Sequence, residues 1–375
     1  MAMNVTEGYF SADGHVVEPG DLFTTRMDKR FRDRAPRVES LPDNDYYIVE
    51  GCAPLPAGFD GGMINDKIAG KIGTMMGRRH ADTRPGAWDP QARLIDQDLD
   101  HLRAEVLYPG FFGLQFFSVM DPEYQRECMR VYNDWLSEFC AASPRRLFGA
   151  ALLPMRGSLH DAIAEAERAA KQRLSSVMIP AEATDRPYSS SEYEPLWAAL
   201  QDLGLPIATH SGTGTGESIF ARVQRLGGIG MGVTDNKIFM PQRALAELIW
   251  SGVPERYPRL RFVIVEGGVG WIASLLRFMD HWWTDHHHWM EPKLNEPPST
   301  YFKRQFWATF EDDRAGILTR ELIGVDRLMW GADYPHTEGV WPHSREQIAD
   351  DFAGVPEGEV YQMVVGNAAR LYGIG

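Results

Sequence analysis

Cysteine is scarce in this sequence of 375 residues, which contains only Cys52, Cys128 and Cys140. No two of them have the Cys-x-x-Cys spacing of a redox or metal motif, and an odd, low number argues against a disulfide framework. The first ten residues also lack the basic segment followed by an apolar run that marks a secretory signal. We therefore expect a cytoplasmic protein with reduced thiols.

Basic residues are outnumbered, and long hydrophobic runs are missing. Lysine and arginine total 38 against 52 acidic residues, which gives a formal net charge of -14. Nucleic acids and anionic membrane surfaces require a basic face, so the charge argues against both as partners. No apolar stretch approaches the roughly 20 residues that a membrane-spanning helix needs. An anionic small molecule remains compatible with this composition, because a bound metal ion reverses the local electrostatic field.

Short apolar runs alternate with amphipathic segments over most of the chain. The predicted strands are residues 9–15, 105–109, 147–154, 176–180, 205–210, 261–266, 306–311 and 327–333. Strands that are apolar throughout are buried on both faces, as in a parallel sheet. Eight strand–helix units predict a closed (β/α)₈ barrel of the TIM type. The alternative, an open doubly wound sheet, normally carries a glycine-rich phosphate loop after its first strand, and residues 13–15 (Asp-Gly-His) do not form one.

Two irregular regions interrupt the barrel pattern, after the first and fifth predicted strands. Residues 19–88 are rich in glycine and proline, and we interpret them as an insertion that forms a lid or an arm reaching another subunit. Residues 211–237 form the second region, and we expect residues 54–80 and 211–237 to shape the pocket. We assign residues 1–375 to a single domain. The insertion and the apolar pair Trp282-Trp283 predict a homo-oligomer, or a hetero-oligomer with a related chain.

Titratable side chains follow many of the predicted strands. They are Asp13, His15 and Glu18 near strand one, His210 at strand five, Glu266 at strand six, Glu311 at strand seven, and Asp333 and His336 at strand eight. The carboxyl ends of barrel strands meet at one mouth, where active sites lie. Buried charges are costly unless they are paired or bind a metal, so this convergence predicts a metal site.

Asp13, His15, His210 and Asp333 together offer two imidazoles and two carboxylates, a set suited to Zn, Mn or Fe. Such an ion lowers the pKa of bound water and polarises a substrate oxygen. One or two divalent ions per chain are expected.

Three further side chains lie near the same strand ends. Glu18, Glu266 and His336 are candidates for ligands of a second ion, for general acid or base, or for groups that orient the ligands. Glu311 is a weaker candidate, because the acidic run that it begins also suits a helix cap.

Other clusters of polar residues have simpler interpretations. The three histidines at 286–288 cannot face one ion from a helix, and we assign them to a polar surface or interface. Asp96, Asp98 and Asp100 are predicted on a solvated helix face.

Several motifs carry a family resemblance. They are residues 13–19 (Asp-Gly-His-Val-Val-Glu-Pro), 93–98 leading to 106–109, 209–212 (Thr-His-Ser-Gly), 265–268 (Val-Glu-Gly-Gly), 330–336 (Trp-Gly-Ala-Asp-Tyr-Pro-His) and 366–373. With these motifs the chain resembles the amidohydrolase superfamily, in the branch that includes aminocarboxymuconate semialdehyde decarboxylase and related nonoxidative decarboxylases and hydrolases. The resemblance implies a barrel with a metal held by the strand-one pair, His210 and Asp333.

Two positions depart from the family pattern. Asp13-x-His15 stands where many members have His-x-His, and Glu266 stands where many have a catalytic histidine. The first expectation is hydrolysis or nonoxidative decarboxylation of a small organic acid, in which Asp333 is catalytic and Glu266 or His336 moves the proton. A few relatives that resemble this Asp-x-His-x-x-Glu pattern are dinuclear non-haem iron oxygenases. An Fe/Fe or Fe/Mn monooxygenase whose second site is completed by Glu18, Glu266 and His336 is therefore one alternative, and a catalytically silent partner subunit is another.

Overall fold

The computed structural model describes residues 8–59, 64, 76–183 and 185–374, and these residues form two sheets. The strands are β1 (Tyr9–His15), β2 (Arg37–Ser40), β3 (Asp45–Ile48), β4 (Leu55–Pro56), β5 (Leu102–Tyr108), β6 (Leu147–Leu152), β7 (Ser176–Glu182), β8 (Ile207–Gly214), β9 (Phe262–Val265), β10 (Phe306–Phe310) and β11 (Leu328–Trp330). The larger sheet contains eight parallel strands in the order β1-β5-β6-β7-β8-β9-β10-β11. This order follows the sequence, as each strand of a (β/α)₈ barrel pairs with the next.

Backbone hydrogen bonds bring the last strand region against the first. The N–H of Asp333 donates to the carbonyl of Asp13 at 2.9 Å, and the N–H of His15 donates to the carbonyl of Tyr334 at 2.6 Å. These bonds leave the sheet nearly closed, so the predicted TIM-type barrel is confirmed and the open doubly wound alternative is wrong. All eight predicted strands are present, and β1 has the predicted bounds.

Helices connect and surround the barrel strands. They are α1 (Leu22–Arg26), α2 (Pro90–Leu99), α3 (Phe111–Phe116), α4 (Pro122–Ala141), α5 (Leu159–Lys171), α6 (Glu194–Leu203), α7 (Ile219–Arg225), α8 (Ile229–Thr234), α9 (Met240–Trp250), α10 (Val253–Arg256), α11 (Ile272–His286), α12 (Pro298–Gln305), α13 (Arg314–Leu318), α14 (Arg320–Ile323), α15 (Ser344–Asp351), α16 (Glu357–Tyr361) and α17 (Asn367–Tyr372). Two π-helical segments, Asp235–Phe239 and Gln362–Gly366, precede α9 and α17.

Helix α4 shows how local sequence sets these elements. Asp121 caps it by accepting the backbone N–H groups of Glu123 and Tyr124, and Pro122 occupies the first turn, where its missing N–H costs nothing. The side chains of Tyr124, Cys128 and three more apolar residues at helical spacing are buried against the barrel. The amphipathic pattern therefore predicted both this helix and the face that it buries.

The insertion after β1 contains regular structure that sequence periodicity did not reveal. Strands β2, β3 and β4 form a small antiparallel sheet there. Asp45 on β3 anchors the next described stretch, because it accepts the backbone N–H of His80 at 2.8 Å and ion-pairs with Arg79 at 2.9 Å. Residues 60–63 and 65–75 of the insertion lie outside the described residues. The lid or arm role of residues 19–88 stays a prediction.

One surface expectation is wrong. Asp96 and Asp100 are 4% and 1% exposed, and of the three aspartates predicted to be solvated Asp98 alone carries an exposed side chain. Asp96 accepts the hydroxyl of Tyr334 at 2.6 Å, and Asp100 accepts the backbone N–H of Ser344 at 3.0 Å. Both carboxylates therefore tie α2 to the segment that follows β11, a long-range contact that the local pattern does not show.

Of the helices described, none has both the length and the apolar character that crossing a bilayer requires. Trp282 on α11 is 44% exposed, whereas the indole N–H of Trp283 donates to the carbonyl of Leu294 at 3.1 Å. The predicted oligomer stays a prediction.

Candidate metal centre

Six of the predicted site residues lie together at the carboxyl ends of the barrel strands. They are Asp13 and His15 on β1, His210 on β8, Glu266 directly after β9, and Asp333 and His336 after β11. Their exposed fractions are 6% or less. Asp13 and His15 are two residues apart on one strand and therefore point to the same side, as the spacing predicted.

The tightest group contains Asp13, His15 and His210. The two Nε2 atoms of the imidazoles are 3.2 Å apart, and each lies 3.7 to 3.8 Å from Asp13 Oδ1. Asp333 Oδ1 is 3.4 Å from His15 Nε2. Ligands about 2.1 Å from a common ion lie roughly 3 to 3.5 Å from one another, so a small contraction of this group would surround a metal.

The orientation of both imidazoles also suits a cation. His15 Nδ1 lies 2.8 Å from the carbonyl of Pro109, and His210 Nδ1 lies 2.9 Å from the carbonyl of Ser211. Each carbonyl accepts a proton held on Nδ1, so in the neutral rings both Nε2 lone pairs point at each other. Burial, together with the neighbouring histidines His336 and His210, holds the pKa of His15 well below its ordinary value. A neutral imidazole is the form that binds a metal.

The carboxylates around these rings complete the fit. Within the described residues, Asp13 Oδ1 has no hydrogen-bond partner, and a buried carboxylate oxygen without a partner is costly. Burial acts to lower the pKa of His210, but the negative charges of Glu266 and Asp13 outweigh it and raise that pKa. The donor set and its negative potential therefore fit a divalent cation.

A hydrogen-bonded threonine links two of the carboxylate residues. Thr309, the next-to-last residue of the apolar strand β10, donates its hydroxyl to Asp13 Oδ2 at 3.0 Å. The same hydroxyl oxygen accepts the backbone N–H of Glu266 at 2.8 Å. Ser211 donates its own hydroxyl to Glu266 Oε2. These bonds fix the orientation of Asp13 and of the turn that carries Glu266. In metal sites, neighbouring polar groups commonly orient the ligands in this way.

The turns that carry Glu266 and Asp333 have strained backbones. Their φ angles are 57° and 52°, in the left-handed region that side chains other than glycine rarely adopt. Such strain persists only where the surroundings enforce it, and it is common at functional sites.

A second group of donor atoms overlaps the first and contains His15, Glu266, Asp333 and His336. His336 Nδ1 is 2.9 Å from Asp333 Oδ1 and 3.9 Å from Glu266 Oε1. Its ring lies between those of His15 and Phe111, with centroids 4.1 and 5.8 Å away. Burial works against a charged imidazole here, but Asp333 outweighs it and raises the pKa of His336 to about 10.

Glu18 and Glu311 take different places from these six residues. Glu18 belongs to neither described donor group, and its Oε1 accepts the backbone N–H of Gly113 at 3.1 Å. Glu311 lies near the mouth, and burial holds its pKa well above the ordinary value. The cap of α13 comes from Asp313, which accepts the N–H of Gly316 at 2.7 Å. The metal-binding role predicted for Glu18 stays a prediction.

Lys237 is a site residue that sequence reasoning missed. It lies in the π-helical segment Asp235–Phe239, and its Nζ is 2.8 Å from Glu266 Oε1. Burial opposes ionisation of this lysine, but Glu266 and neighbouring carboxylates raise its pKa well above the ordinary value. Burial likewise acts to raise the pKa of Glu266, and Lys237 and the nearby imidazoles lower it overall. Its position in an irregular, glycine-rich region gave no periodic signal.

A cavity of about 440 Å³ opens beside this centre at the barrel mouth. Lys237, Glu266 and Glu311 line it together with the apolar surfaces of Ile238 and Trp271. The indole N–H of Trp271 donates to the carbonyl of Gly267 at 2.7 Å, which fixes the ring at the rim. The cavity combines an apolar wall with charged groups, as small-molecule sites commonly do.

The family model described as amidohydrolase (Amidohydro_2) matches residues 65–374 of this chain. The chain belongs to this amidohydrolase family. The resemblance drawn from the motifs is thereby confirmed, and the chain is an enzyme of the hydrolase or carboxy-lyase type.

Two curated relatives are decarboxylases. A gamma-resorcylate decarboxylase from Rhodococcus jostii is 28% identical over 317 residues, which cover 77% of this chain and 92% of the relative. A 2-amino-3-carboxymuconate-6-semialdehyde decarboxylase from Dictyostelium discoideum is 21% identical over 296 residues, 76% of this chain and 77% of the relative.

Solved structures share the fold over nearly the whole chain. An amidohydrolase from Mycobacterium avium subsp. paratuberculosis has a TM-score of 0.77 at 21% identity, covering 99% of this chain and 100% of its own. A dihydroxybenzoic acid decarboxylase from Polaromonas sp., solved with manganese and the inhibitor 2-nitroresorcinol, has a TM-score of 0.63 at 18% identity, covering 99% and 98%.

Proposed function

We propose that this enzyme removes the carboxyl group of a hydroxylated benzoic acid without oxidation, using Mn²⁺ held by Asp13, His15, His210 and Asp333. The observation that carries the proposal is the convergence of these four buried side chains on one point, with Nε2 atoms 3.2 Å apart. The names of the relatives support the substrate class, and the manganese of the Polaromonas structure supports the ion.

The residues divide into two roles by their burial. A bound divalent ion supplies positive charge that holds and polarises the oxygen atoms of an anionic substrate. The four proposed ligands are completely buried, whereas Glu266 and His336 retain 6% and 5% exposure, so these two side chains border the space that a substrate can enter. They are therefore the groups placed to carry a proton to and from the substrate.

The reaction requires one proton and no oxidant. The bond between the ring carbon and the carboxyl carbon breaks, CO₂ leaves, and its electron pair stays on the ring carbon. His336, held by Asp333 at 2.9 Å, is the proposed donor of the proton that this carbon takes up. Glu266, whose Oε2 accepts the hydroxyl of Ser211, takes the proton of the substrate's phenol group and returns it to the same oxygen when the product forms, so the net uptake is one proton. Asp333 is thus both a ligand and the residue that orients the donor.

The test uses Mn²⁺-loaded protein and a set of hydroxylated benzoic acids that includes 2,6-dihydroxybenzoate. We expect CO₂ release and formation of the corresponding phenol. Asp333→Asn should lose the metal and at least about 100-fold in kcat/KM with the fold intact, whereas Asp350→Asn, on the exposed face of α15, should retain both. Full activity and metal content in Asp333→Asn would refute the site assignment, and absence of CO₂ release with every acid would refute the reaction.

One observation favours a second candidate function, a dinuclear iron or iron/manganese monooxygenase. The donor atoms of His15, Glu266, Asp333 and His336 all lie within 4.8 Å of one another, close enough to help bind a second ion. In that case one atom of dioxygen enters the substrate as a hydroxyl group, and two electrons from an added reductant, with two protons, convert the other atom to water. An oxygen electrode separates the two reactions, because decarboxylation consumes no dioxygen.

A further inference from the structure

We propose that Lys237 is a built-in cation that fills the second metal position at the barrel mouth, so that the chain binds one divalent ion instead of two. This inference rests on the ligand set of the proposed function, but it concerns the number of ions and the role of a residue outside that set.

The ammonium group of Lys237 lies within 4 Å of four carboxylates. Its Nζ is 2.8 Å from Glu266 Oε1, 3.4 Å from Glu338 Oε1, and 3.9 Å from both Glu311 Oε2 and Asp333 Oδ2. These carboxylates follow three successive barrel strands, β9, β10 and β11. Four oxygen ligands around one point are the surroundings that a hard divalent cation prefers, and here an ammonium group occupies them.

The position of Asp333 shows that this group of four carboxylates adjoins the proposed metal centre. Its Oδ1 faces His15 Nε2 at 3.4 Å and His336 Nδ1 at 2.9 Å, whereas its Oδ2 faces Lys237. The two oxygens of the Asp333 carboxylate therefore face two different cation positions. Bridging carboxylates do the same in two-metal sites, where the ions lie about 3.5 to 4 Å apart. In this structure the ammonium group of Lys237 occupies the position that Asp333 Oδ2 faces.

The contacts of Glu266 also indicate that Lys237 takes the place of a second ion. The second ion of a dinuclear enzyme would need Glu266 Oε1 and His336 Nδ1, which are 3.9 Å apart. The same Oε1 is already bound to Lys237 at 2.8 Å. An ion on this oxygen would enter the space of the ammonium group, and the two positive charges would repel each other at contact distance.

The segment that carries Lys237 is anchored on its other side. Asp235 accepts Arg222 Nε at 2.6 Å, and Arg222 also ion-pairs with Glu182 on β7. This network fixes the π-helical segment and holds Lys237 over the mouth. π-Helical turns are rare and occur frequently at functional sites.

Metal stoichiometry tests the proposal independently of turnover. Each protein is stripped with chelator, dialysed against Mn²⁺, and analysed for bound manganese by elemental analysis. We expect one ion per chain in the wild type and in Lys237→Arg, which keeps the charge. Lys237→Met should bind two, a doubling, because four carboxylates then lack a cation. Lys303→Met, at an exposed position of α12, directly before β10, is the matched control and should bind one.

Two manganese ions in the wild type, or one in a folded Lys237→Met protein, would overturn the proposal. If Lys237→Met does not fold, Lys237→Gln takes its place and the wild-type value still decides. The two proposals fail separately. One ion in the wild type and two in Lys237→Met, without CO₂ release from any acid, would sustain the role of Lys237 and refute the decarboxylase. CO₂ release by a wild-type protein that binds two ions would sustain the decarboxylase and refute the role of Lys237.

Discussion

The backbone N–H of Asp333 donates a 2.9 Å hydrogen bond to the backbone carbonyl of Asp13. This bond closes the barrel between its first and last strands, and it places two carboxylates from opposite ends of the chain on either side of His15. The candidate metal centre therefore exists only when the barrel is closed, so binding of an ion there would be coupled to folding of the barrel.

Metal removal should accordingly destabilise the protein. A ligand that binds the folded state alone stabilises it by about 2.7 kcal/mol at a concentration of 100 Kd. We expect Tm, measured by calorimetry, to fall when Mn²⁺ is removed with chelator and to recover when Mn²⁺ is restored. Asp333→Asn should show the same Tm with and without the ion. An unchanged Tm in the wild type would mean that the closed barrel binds no ion at this place.

Thr309 is the residue through which Asp13 and Glu266 are coupled. Thr309→Val preserves the shape of the side chain and removes both hydrogen bonds of its hydroxyl group. We expect Mn²⁺ affinity to fall by about 10- to 100-fold, as when other groups that orient metal ligands are lost. Titration calorimetry measures this change, and Thr309→Ser should restore most of the affinity. Equal losses in the valine and serine variants would indicate a packing role for Thr309.

The titratable side chains at the ends of the barrel strands could be predicted from the sequence. Asp13, His15, His210 and Asp333 follow apolar strands, and a closed barrel brings such ends together whatever the loops do. Thr309 gave no signal, because a threonine in an apolar strand is ordinary there. Lys237 gave none either, because its position depends on a π-helical turn and on the pairing of Asp235 with Arg222.

The acidic residues of α2 show a second limit of sequence reasoning. Asp96 and Asp100 have the spacing of a solvated helix face, and whether that face meets solvent depends on where the segment after β11 packs. That segment brings Tyr334 and Ser344 onto the two carboxylates. Polar pairs of this kind are separated by most of the chain, so a local pattern cannot reveal them.

Asp100 should make stability depend on pH. Burial raises the pKa of its carboxyl group from 3.8 to about 6, although the hydrogen bonds from Ser344 act in the opposite direction. The folded state thus holds the proton more tightly than the unfolded chain. The resulting stabilisation is complete below pH 3.8 and is lost as the pH rises through about 6.

Asp100→Asn isolates this contribution, because asparagine does not titrate. Relative to the variant, the wild type should lose up to about 3 kcal/mol of unfolding free energy between pH 4 and pH 7. Urea unfolding of both proteins at several pH values measures the difference. Asp98→Asn, at the exposed aspartate of the same helix, serves as the control. A difference between wild type and Asp100→Asn that does not change with pH would contradict the assignment.

Gly331 lies directly against Asp13, where the last strand region meets the first. A Cβ atom at this position would lie 2.4 Å from Asp13 Cβ and 3.0 Å from the Asp13 backbone nitrogen, and a strand backbone cannot move aside as a flexible side chain can. Gly331→Ala should therefore separate β11 from β1, cost about 1 to 3 kcal/mol of unfolding free energy, and weaken Mn²⁺ binding because Asp13 and Asp333 move apart. Gly358→Ala, on α16 with open space around the added methyl group, should leave both unchanged or slightly improve stability. Urea unfolding measures the stability of the two variants, and titration calorimetry measures their Mn²⁺ affinity. If Gly331→Ala binds Mn²⁺ as tightly as the wild type does, the contact between the strands does not set the geometry of the centre.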